Sequence, residues 1–131
     1  MERQIKFRGK NIHTGEWLYG DYHREGKMHY ITKFGDFLRE YAPIEFIVDE
    51  NTIGQFTGIL DKNGKEIYEG DILSDGEVKY EVWYSEDKTG FIAEMRDPQN
   101  DLVDYLGSYD TERIMTIIGS IYDHPDLLNG K

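Results

Sequence analysis

The sequence contains no cysteine, only three prolines and no long run of apolar residues. Without cysteine, disulfides and thiolate zinc sites are excluded, and the composition fits a reducing compartment. The N-terminus lacks the apolar segment of a signal peptide, and no run approaches the roughly 20 residues that a membrane span needs. We therefore expect a soluble cytoplasmic protein with no membrane partner.

Basic residues are also scarce relative to acidic ones. The chain has 15 basic and 26 acidic residues, which gives a net charge of −11. Residues 1–48 carry eight basic and seven acidic side chains, a net of +1, whereas residues 49–131 carry seven and 19, a net of −12. An acidic field repels phosphate backbones, so no nucleic-acid partner is expected. The N-terminal segment is the exception. Its candidate interaction residues are Arg3, Lys6, Arg8 and Lys10.

This uneven charge predicts a homo-oligomer in which the mildly basic N-terminal part of one copy docks on an acidic surface of the next. Aromatic residues would supply the buried centre of such a contact, and Tyr19, Tyr22 and Tyr30 are candidates. Core packing of the three tyrosines is the alternative.

The chain of 131 residues suits one domain, and its pattern is that of a mainly β protein. Aromatic residues make up 14% of the sequence, and such residues favour pleated surfaces. Apolar side chains alternate at Val78, Tyr80, Val82 and Tyr84, with Lys79 and Glu81 on the other face. The other predicted strands are Ile5 and Phe7, Trp17–Tyr22, Met28–Ile31, Ile44–Val48, Ile53–Phe56, Ile67–Leu73, Phe91–Met95 and Ile114–Tyr122.

Turns and short helices complete the prediction. Asn63-Gly64, Glu25-Gly26 and Asp75-Gly76 are typical of tight turns between strands. Helical spacing predicts up to three short helices, at Phe34–Tyr41, from Asn100 to Gly107, and at Pro125–Leu128.

An internal repeat relates about residues 5–30 to residues 54–80. The matching positions are Phe7/Phe56, Gly9/Gly58, Gly15/Gly64, Tyr19/Tyr68, Gly20/Gly70, Asp21/Asp71, Gly26/Gly76 and Tyr30/Tyr80, with Glu69 as one inserted residue. Eight identities with a single gap favour a degenerate duplication. The predicted fold is therefore two tandem small β units, SH3-like or partly open barrels, that share one core.

The repeat contains a Gly-Asp pair in each copy, at Gly20-Asp21 and at Gly70-Asp71. Acid–base catalysis by Asp71 with Glu69 or Asp21 is one interpretation. A turn motif is the favoured one, in which Gly20, Gly64 and Gly70 adopt unusual φ angles and the aspartates accept backbone N–H groups.

Other motifs carry little chemistry. His23 and His29 flank the Gly26 turn and could hold a metal with Asp21, but the histidine spacing is not that of zinc sites. Asp61–Gly64 resembles the start of a calcium loop without its later ligands. Trp17 and Trp83 could stack on bases, but such sites need cationic surroundings, which only the N-terminal segment offers, and packing in the core or across strands is the favoured use. No serine lies in a nucleophile elbow. We therefore expect no catalytic, cofactor or metal site, and no enzyme.

Two blocks carry a family resemblance, Asn51–Gly58 and Asp61–Ile72. Together they resemble the central signature of the YopX family of phage and prophage proteins. Ile5–Arg8 is similar to that family's start and Ile118–Leu128 to its end, although Ser120 stands where the family more often has asparagine. The resemblance implies one YopX-like domain over residues 1–131, a phage or prophage origin, a bacterial cytoplasm and self-association. It brings no assigned activity and no catalytic residues.

The expected function is that of an accessory protein whose molecular role is unknown. The leading hypothesis is a non-enzymatic module that binds itself or a bacterial or phage protein. One alternative is an acidic inhibitor that mimics DNA and occupies the basic groove of a host protein. Another is a small barrel that binds nucleic acid.

Overall fold

A computed structural model describes residues 4–33, 44–95, 103–106 and 111–128 of the chain. The strands are β1 (Phe7–Lys10), β2 (Trp17–Glu25), β3 (Met28–Thr32), β4 (Gly54–Leu60), β5 (Glu66–Tyr68), β6 (Asp71–Ser74), β7 (Lys79–Ser85), β8 (Gly90–Met95), β9 (Val103–Tyr105) and β10 (Thr116–Ser120). The helical segments are α1 (Thr111–Ile114) and the 3₁₀ turns Ile44–Phe46, Glu50–Thr52 and Pro125–Leu128. The strands form two sheets, in the orders β3-β2-β1-β4-β5 and β10-β6-β7-β8-β9.

The chain divides into two compact units, Met1–Phe56 and Thr57–Lys131. In the first unit, β1, β2 and β3 form an antiparallel meander, and the start of β4 pairs with β1. The segment after the 3₁₀ turn Ile44–Phe46 lies against this meander. Val48 donates its N–H to the carbonyl of His29 at 2.9 Å and packs against Gly9, where an added Cβ would lie 3.0 Å from it. A side chain larger than glycine at position 9 would therefore push Val48 away.

The second unit contains a hydrophobic cluster of its own. Its central strand β7 pairs with β6 on one side and with β8 on the other. The buried members of the cluster are Ile67, Leu73, Tyr80, Val82, Ala93 and Met115. Ile67, Leu73 and Val82 are wholly buried, so burial of apolar surface, at about 25 cal/mol per Å², is the main stabilising term here.

The mainly β class is confirmed, but among the described residues neither sheet closes into a barrel. The predicted SH3-like or partly open barrels are thus refined to two antiparallel sheets that do not close within the described part of the chain. The hydrophobic cluster of the second unit contains residues of that unit alone, so the expectation of one shared core finds no support in it.

Three predicted strands are only partly correct. Ile44–Phe46 forms a 3₁₀ turn, and only Ile47 and Val48 make isolated bridges. Ile67–Leu73 is interrupted at Glu69-Gly70, and Ile114 ends α1 before β10 begins.

The three predicted helices have different outcomes. Pro125–Leu128 forms the expected short helical segment as a 3₁₀ turn. The proposed helix at 34–41 lies outside the described residues. The helix predicted from Asn100 to Gly107 is wrong over Val103–Tyr105, because these residues form strand β9, which pairs with β8. Residues 100–102 and Gly107 of this prediction lie outside the described part of the chain.

Candidate interaction site

Cations of the N-terminal segment lie on aromatic rings within the first unit. The β1–β2 register sets Arg8 opposite Tyr19 and Lys10 opposite Trp17, so these four share one face. The Arg8 guanidinium carbon lies 4.2 Å from the centroid of the Trp17 ring, and the Lys10 ammonium 5.4 Å from it. Such contacts contribute about 0.5–2 kcal/mol each, more where water is excluded.

The four predicted interaction residues therefore differ in what they can reach. Arg8 is only 5% exposed, so its charge serves the packing of the unit. Lys6 is half-buried, with its ammonium 5.3 Å from the centroid of the Phe56 ring, and Lys10 is half-buried as well. Arg3 lies outside the described residues. Their role in binding stays a prediction, and Lys6 and Lys10 are better placed for it than Arg8.

A cleft of about 320 Å³ opens on the first unit. Its lining is mostly aromatic and aliphatic, with one cation: Trp17, Leu18, Tyr19, Ile31, Thr32, Lys33 and Phe46. Tyr19 is 46% exposed and Lys33 is exposed, while Thr32 and Ile31 form the buried floor. An apolar side chain with a carboxylate beside it fits this chemistry. Reasoning from the sequence singled out Tyr19 and Trp17 but not Phe46, which joins the cleft only through the fold.

The Gly-Asp pairs share a positive φ at the glycine but differ in environment. Gly20 and Gly70 both have positive φ, +154° and +90°. A Cβ on Gly20 would collide with the carbonyl oxygen of Thr32, and one on Gly70 would lie 2.7 Å from Cε2 of Tyr122. Asp71 is buried and accepts the N–H of Tyr68 at 2.8 Å, whereas Asp21 is exposed. The turn interpretation agrees with the geometry of Gly70 and Asp71, whereas Gly20 lies inside strand β2, paired with Phe7, and is not part of a turn.

Asp61 organises the turn that contains Gly64, whose φ is +81°. Its Oδ1 accepts the N–H groups of Asn63 at 2.8 Å and Lys65 at 2.9 Å, and its Oδ2 accepts that of Ile117 at 3.0 Å. Burial raises the pKa of this carboxyl, but the three backbone hydrogen bonds, aided by the charge of Lys65, outweigh burial and hold the pKa below its ordinary value. Both oxygens of Asp61 thus bind backbone N–H groups, which accounts for the loop without calcium.

The histidines of the first hairpin do not face each other. His23 pairs with Tyr30 and His29 with Arg24, so the two imidazoles project from opposite faces of the β2–β3 ribbon. The metal site proposed from His23, His29 and Asp21 is therefore wrong in its geometry. In the part of the chain that the structure describes, no group of three or more His, Asp or Glu residues could hold a metal ion.

His29 instead belongs to a hydrogen-bonded chain that the sequence did not predict. Its Nδ1 lies 2.6 Å from the hydroxyl of Tyr22, and its Nε2 lies 3.1 Å from Oε2 of Glu50. The Tyr22 and His29 rings are stacked, with centroids 5.8 Å apart. Tyr22 and Glu50 stand seven and 21 positions from His29 in the sequence, and only strand pairing and the 3₁₀ turn Glu50–Thr52 bring them together.

A serine–aspartate–histidine grouping near the C-terminus is a local turn. The hydroxyl of Ser120 accepts the N–H of Asp123 at 3.1 Å and donates to its carboxylate at 3.3 Å. Nδ1 of His124 accepts the backbone N–H of Ser120 at 3.4 Å. The serine hydroxyl thus bonds the aspartate directly instead of the imidazole, which is not the order of a nucleophilic triad.

Residues 6–129 match the family model described as YopX protein, which is nearly the whole chain. The chain belongs to the YopX family. This YopX-family protein is also similar to a solved structure, the crystal structure of protein EF1440 from Enterococcus faecalis, with a TM-score of 0.53 and 23% sequence identity over 97% of this chain and 99% of the other. At that identity the likeness shows the fold alone. No curated protein matches the chain. Among the described residues of the YopX-family chain, no helix is long and apolar enough to cross a membrane.

Proposed function

We propose that this YopX-family protein is a non-enzymatic accessory protein of phage or prophage origin that acts in the bacterial cytoplasm by binding protein, a second copy of itself first of all. The observation that carries the proposal is the cleft of the first unit, in which aromatic side chains lie beside Lys33 and the cations stacked on Trp17.

The composition of this cleft is that of a protein-binding centre. Tryptophan, tyrosine and arginine carry most of the energy in protein interfaces, usually around a small desolvated pocket. Trp17 and Tyr19 line the cleft, and Arg8 stiffens Trp17 from the β1 side. A rigid aromatic anchor loses little conformational entropy when a partner binds, which favours affinity.

Charge complementarity selects a second copy as the occupant. Residues 1–56 carry eight basic and nine acidic side chains, a net of −1, and residues 57–131 carry seven and 17, a net of −10. The second unit exposes acidic turns, with Asp75 and Glu77 at one and Glu86 and Asp87 at another. The cleft of one copy and an acidic turn of another form a heterologous contact, which closes into a ring when the rotation permits it.

Light scattering after gel filtration tests the proposal on Lys33→Glu, with Lys27→Glu as the matched control. Both lysines are exposed and both variants change the charge equally, but only Lys33 lines the cleft. We expect an oligomer for the wild type and for Lys27→Glu at roughly 50 mM salt, and a shift towards monomer for Lys33→Glu. Raising the salt to roughly 500 mM should weaken the assembly of the wild type.

A wild-type monomer at both salt concentrations would overturn the proposal of self-association. An oligomer that neither salt nor Lys33→Glu changes would show that the copies bind through another surface, such as a strand edge.

A second candidate is supported by the charge of the second unit alone. A net of −10 over residues 57–131 is compatible with mimicry of DNA on the basic groove of a host protein. Immobilised protein would then retain a DNA-binding enzyme from host lysate, and added duplex DNA would release it. Retention that DNA does not reverse would argue against mimicry.

A further inference from the structure

Tyr22, His29 and Glu50 join three separate elements of the first unit through two side-chain hydrogen bonds. Tyr22 lies in β2, His29 in the neighbouring strand β3, and Glu50 at the start of the 3₁₀ turn Glu50–Thr52. His29 is 9% exposed, Tyr22 is half-buried, and the side chain of Glu50 is 66% exposed. Tyr22 thus keeps part of its side chain exposed to solvent, while His29, the candidate base, is buried between Tyr22 and Glu50.

The partners of His29 favour one tautomer of its neutral imidazole. An ionised carboxylate can only accept hydrogen bonds, so Nε2 of neutral His29 carries the hydrogen and donates it to Glu50. Nδ1 is then the acceptor, and the hydroxyl of Tyr22 donates to it across 2.6 Å. This is the arrangement of an activated nucleophile, in which a hydroxyl contacts a base and a third group orients that base.

We propose that Tyr22 is a nucleophilic tyrosine and a site of covalent modification by an electrophilic phosphorus(V) donor. The phenol oxygen attacks phosphorus and forms an O–P bond, while the bond from phosphorus to the leaving group breaks and the leaving group takes its electron pair. The phenolic proton passes to Nδ1 of His29, and Glu50 stabilises the imidazolium that results. Nothing is oxidised or reduced.

Phosphorus is the electrophile of choice because a cationic residue stands on the same face of the β2–β3 ribbon as Tyr22. Arg24 follows Tyr22 by two residues in β2, on the same face, and stands opposite His29 in the strand register. Its side chain is exposed, and its Nε donates to the carbonyl of Gly26 at 2.9 Å. A guanidinium in this place pairs well with the charge of a phosphate ester on Tyr22.

Transfer would also remove a contact of the native unit. The esterified oxygen has no proton left to donate, so the hydrogen bond from Tyr22 to Nδ1 of neutral His29 cannot form again once the imidazolium has released its proton. His29 holds the following segment as well, because its carbonyl accepts the N–H of Val48 at 2.9 Å. The modification therefore acts on the packing of that segment against β3.

A dialkyl fluorophosphate is the probe, and peptide mass spectrometry of the full chain measures adduct formation at each tyrosine. Tyr84 is the internal reference, since it is 48% exposed and packs its ring in a T-shaped contact with Phe91. Although Tyr22 is less exposed, we expect its adduct to form at least about tenfold faster than that of Tyr84, because general base assistance contributes about a hundredfold or more where it operates fully.

Three variants separate base assistance from a merely structural role. Tyr22→Phe should lack the adduct and leave the rate at Tyr84 unchanged. His29→Asn should lower the rate at position 22 to about that of Tyr84. Glu50→Gln alters an exposed side chain and keeps a hydrogen-bond acceptor, so it should leave thermal unfolding nearly unchanged yet slow the adduct about three- to tenfold. The adduct rate of Glu50→Gln tests base assistance even if His29→Asn fails to fold.

A rate at Tyr22 no higher than that at Tyr84 would overturn the proposal. So would a fast rate that Glu50→Gln leaves unchanged in a folded protein, because the oriented base would then have no part in it.

Discussion

At the scale of single residues, glycine is required where a positive φ coincides with a close neighbour. Gly70 and Gly64 have similar φ angles of +90° and +81°. They differ in surroundings, because a Cβ on Gly70 would meet the ring of Tyr122, whereas nothing lies within 4 Å of one on Gly64. The pair therefore separates the cost of backbone strain from that of a steric clash.

We expect Gly70→Ala to lower the free energy of unfolding by about 2–4 kcal/mol, and Gly64→Ala by about 1–2 kcal/mol. Both variants strain the backbone, and only Gly70→Ala also displaces Tyr122. Chemical denaturation of the two variants and the wild type measures the difference. A shorter side chain at position 122 in the Gly70→Ala background should recover part of the loss. Equal losses for Gly70→Ala and Gly64→Ala would show that Tyr122 yields without cost.

Sequence patterns failed at the residue scale where a charged side chain is buried. Alternation along β7 puts Glu81 on the face opposite Tyr80 and Val82, and that face is covered too, because Glu81 is 3% exposed and accepts Nε1–H of Trp83 at 2.7 Å. Val82, its neighbour on the opposite face, is also wholly buried, so β7 is covered on both faces. Arg8, whose charge also suggests an exposed position, is likewise buried. Periodicity identifies the two faces of a strand but cannot tell how many of them are covered.

At the scale of elements, the two halves of the proposed repeat pair their hairpins in one register. Tyr22 lies opposite Ile31 in the first half, and Ile72 lies opposite Glu81 in the second, which is the same pairing moved by 50 positions. Both turns contain a glycine with positive φ, Gly26 at +62° and Gly76 at +104°. This supports the duplication, which stays a hypothesis for residues 5–30 and 54–80.

The two halves of the proposed repeat differ in the strand before the hairpin, and one inserted residue accounts for the difference. β2 runs unbroken through Trp17–Glu25, whereas its counterpart is split into β5 and β6. The split falls at the inserted Glu69 and at Gly70, whose carbonyl accepts the N–H of Ile121 at 2.9 Å.

Turn glycines and alternation predicted the hairpins from local signals in the sequence. The strand order and the Tyr22–His29–Glu50 chain depend on contacts between distant residues, which no local pattern contains.

Asp61 connects one such distant pair, the turn before β5 and strand β10. We expect Asp61→Asn to destabilise the protein by about 1–3 kcal/mol at neutral pH, because the amide nitrogen cannot accept the N–H that one carboxylate oxygen accepted. The folded pKa of Asp61 is held below its ordinary value. Its stabilising effect is therefore complete above the unfolded pKa of about 4 and is lost as the pH falls through the folded pKa.

The difference in unfolding free energy between wild type and Asp61→Asn should accordingly be constant from about pH 5 to 7 and shrink below about pH 4. Urea denaturation across this range measures it. Asp87→Asn, at an exposed turn, is the control and should change stability by less than about 0.5 kcal/mol. A difference between wild type and Asp61→Asn that persists unchanged to pH 2 would mean that the carboxylate charge is not its source.

At the scale of the whole molecule, charge decides which partners can approach. The net charge of −11 is concentrated in residues 57–131, and the cations of the first unit are partly occupied by Trp17 and Phe56. A protein that binds nucleic acid needs several exposed cations, since each phosphate contact releases counterions and supplies much of the affinity. Lys33 and Lys27 are exposed cations of the first unit, but they share it with nine acidic residues.

We therefore expect no binding of duplex DNA at micromolar protein and about 150 mM salt. Fluorescence anisotropy with labelled duplex and single-stranded oligonucleotides measures this, and the single strand is included because Trp17 and Tyr19 could stack on unpaired bases. Repeating the titration at about 50 mM salt, with Lys33→Glu beside the wild type, distinguishes weak phosphate contacts from none. Binding that falls steeply with salt and is weaker in Lys33→Glu would assign the cleft to nucleic acid and overturn the proposal that it binds protein. If no oligonucleotide binds at either salt concentration, protein carboxylates are the expected partners of the cations in the first unit. Recognition of a carboxylate needs fewer simultaneous charge contacts than binding of nucleic acid does, and it gains more from the aromatic surface around Lys33.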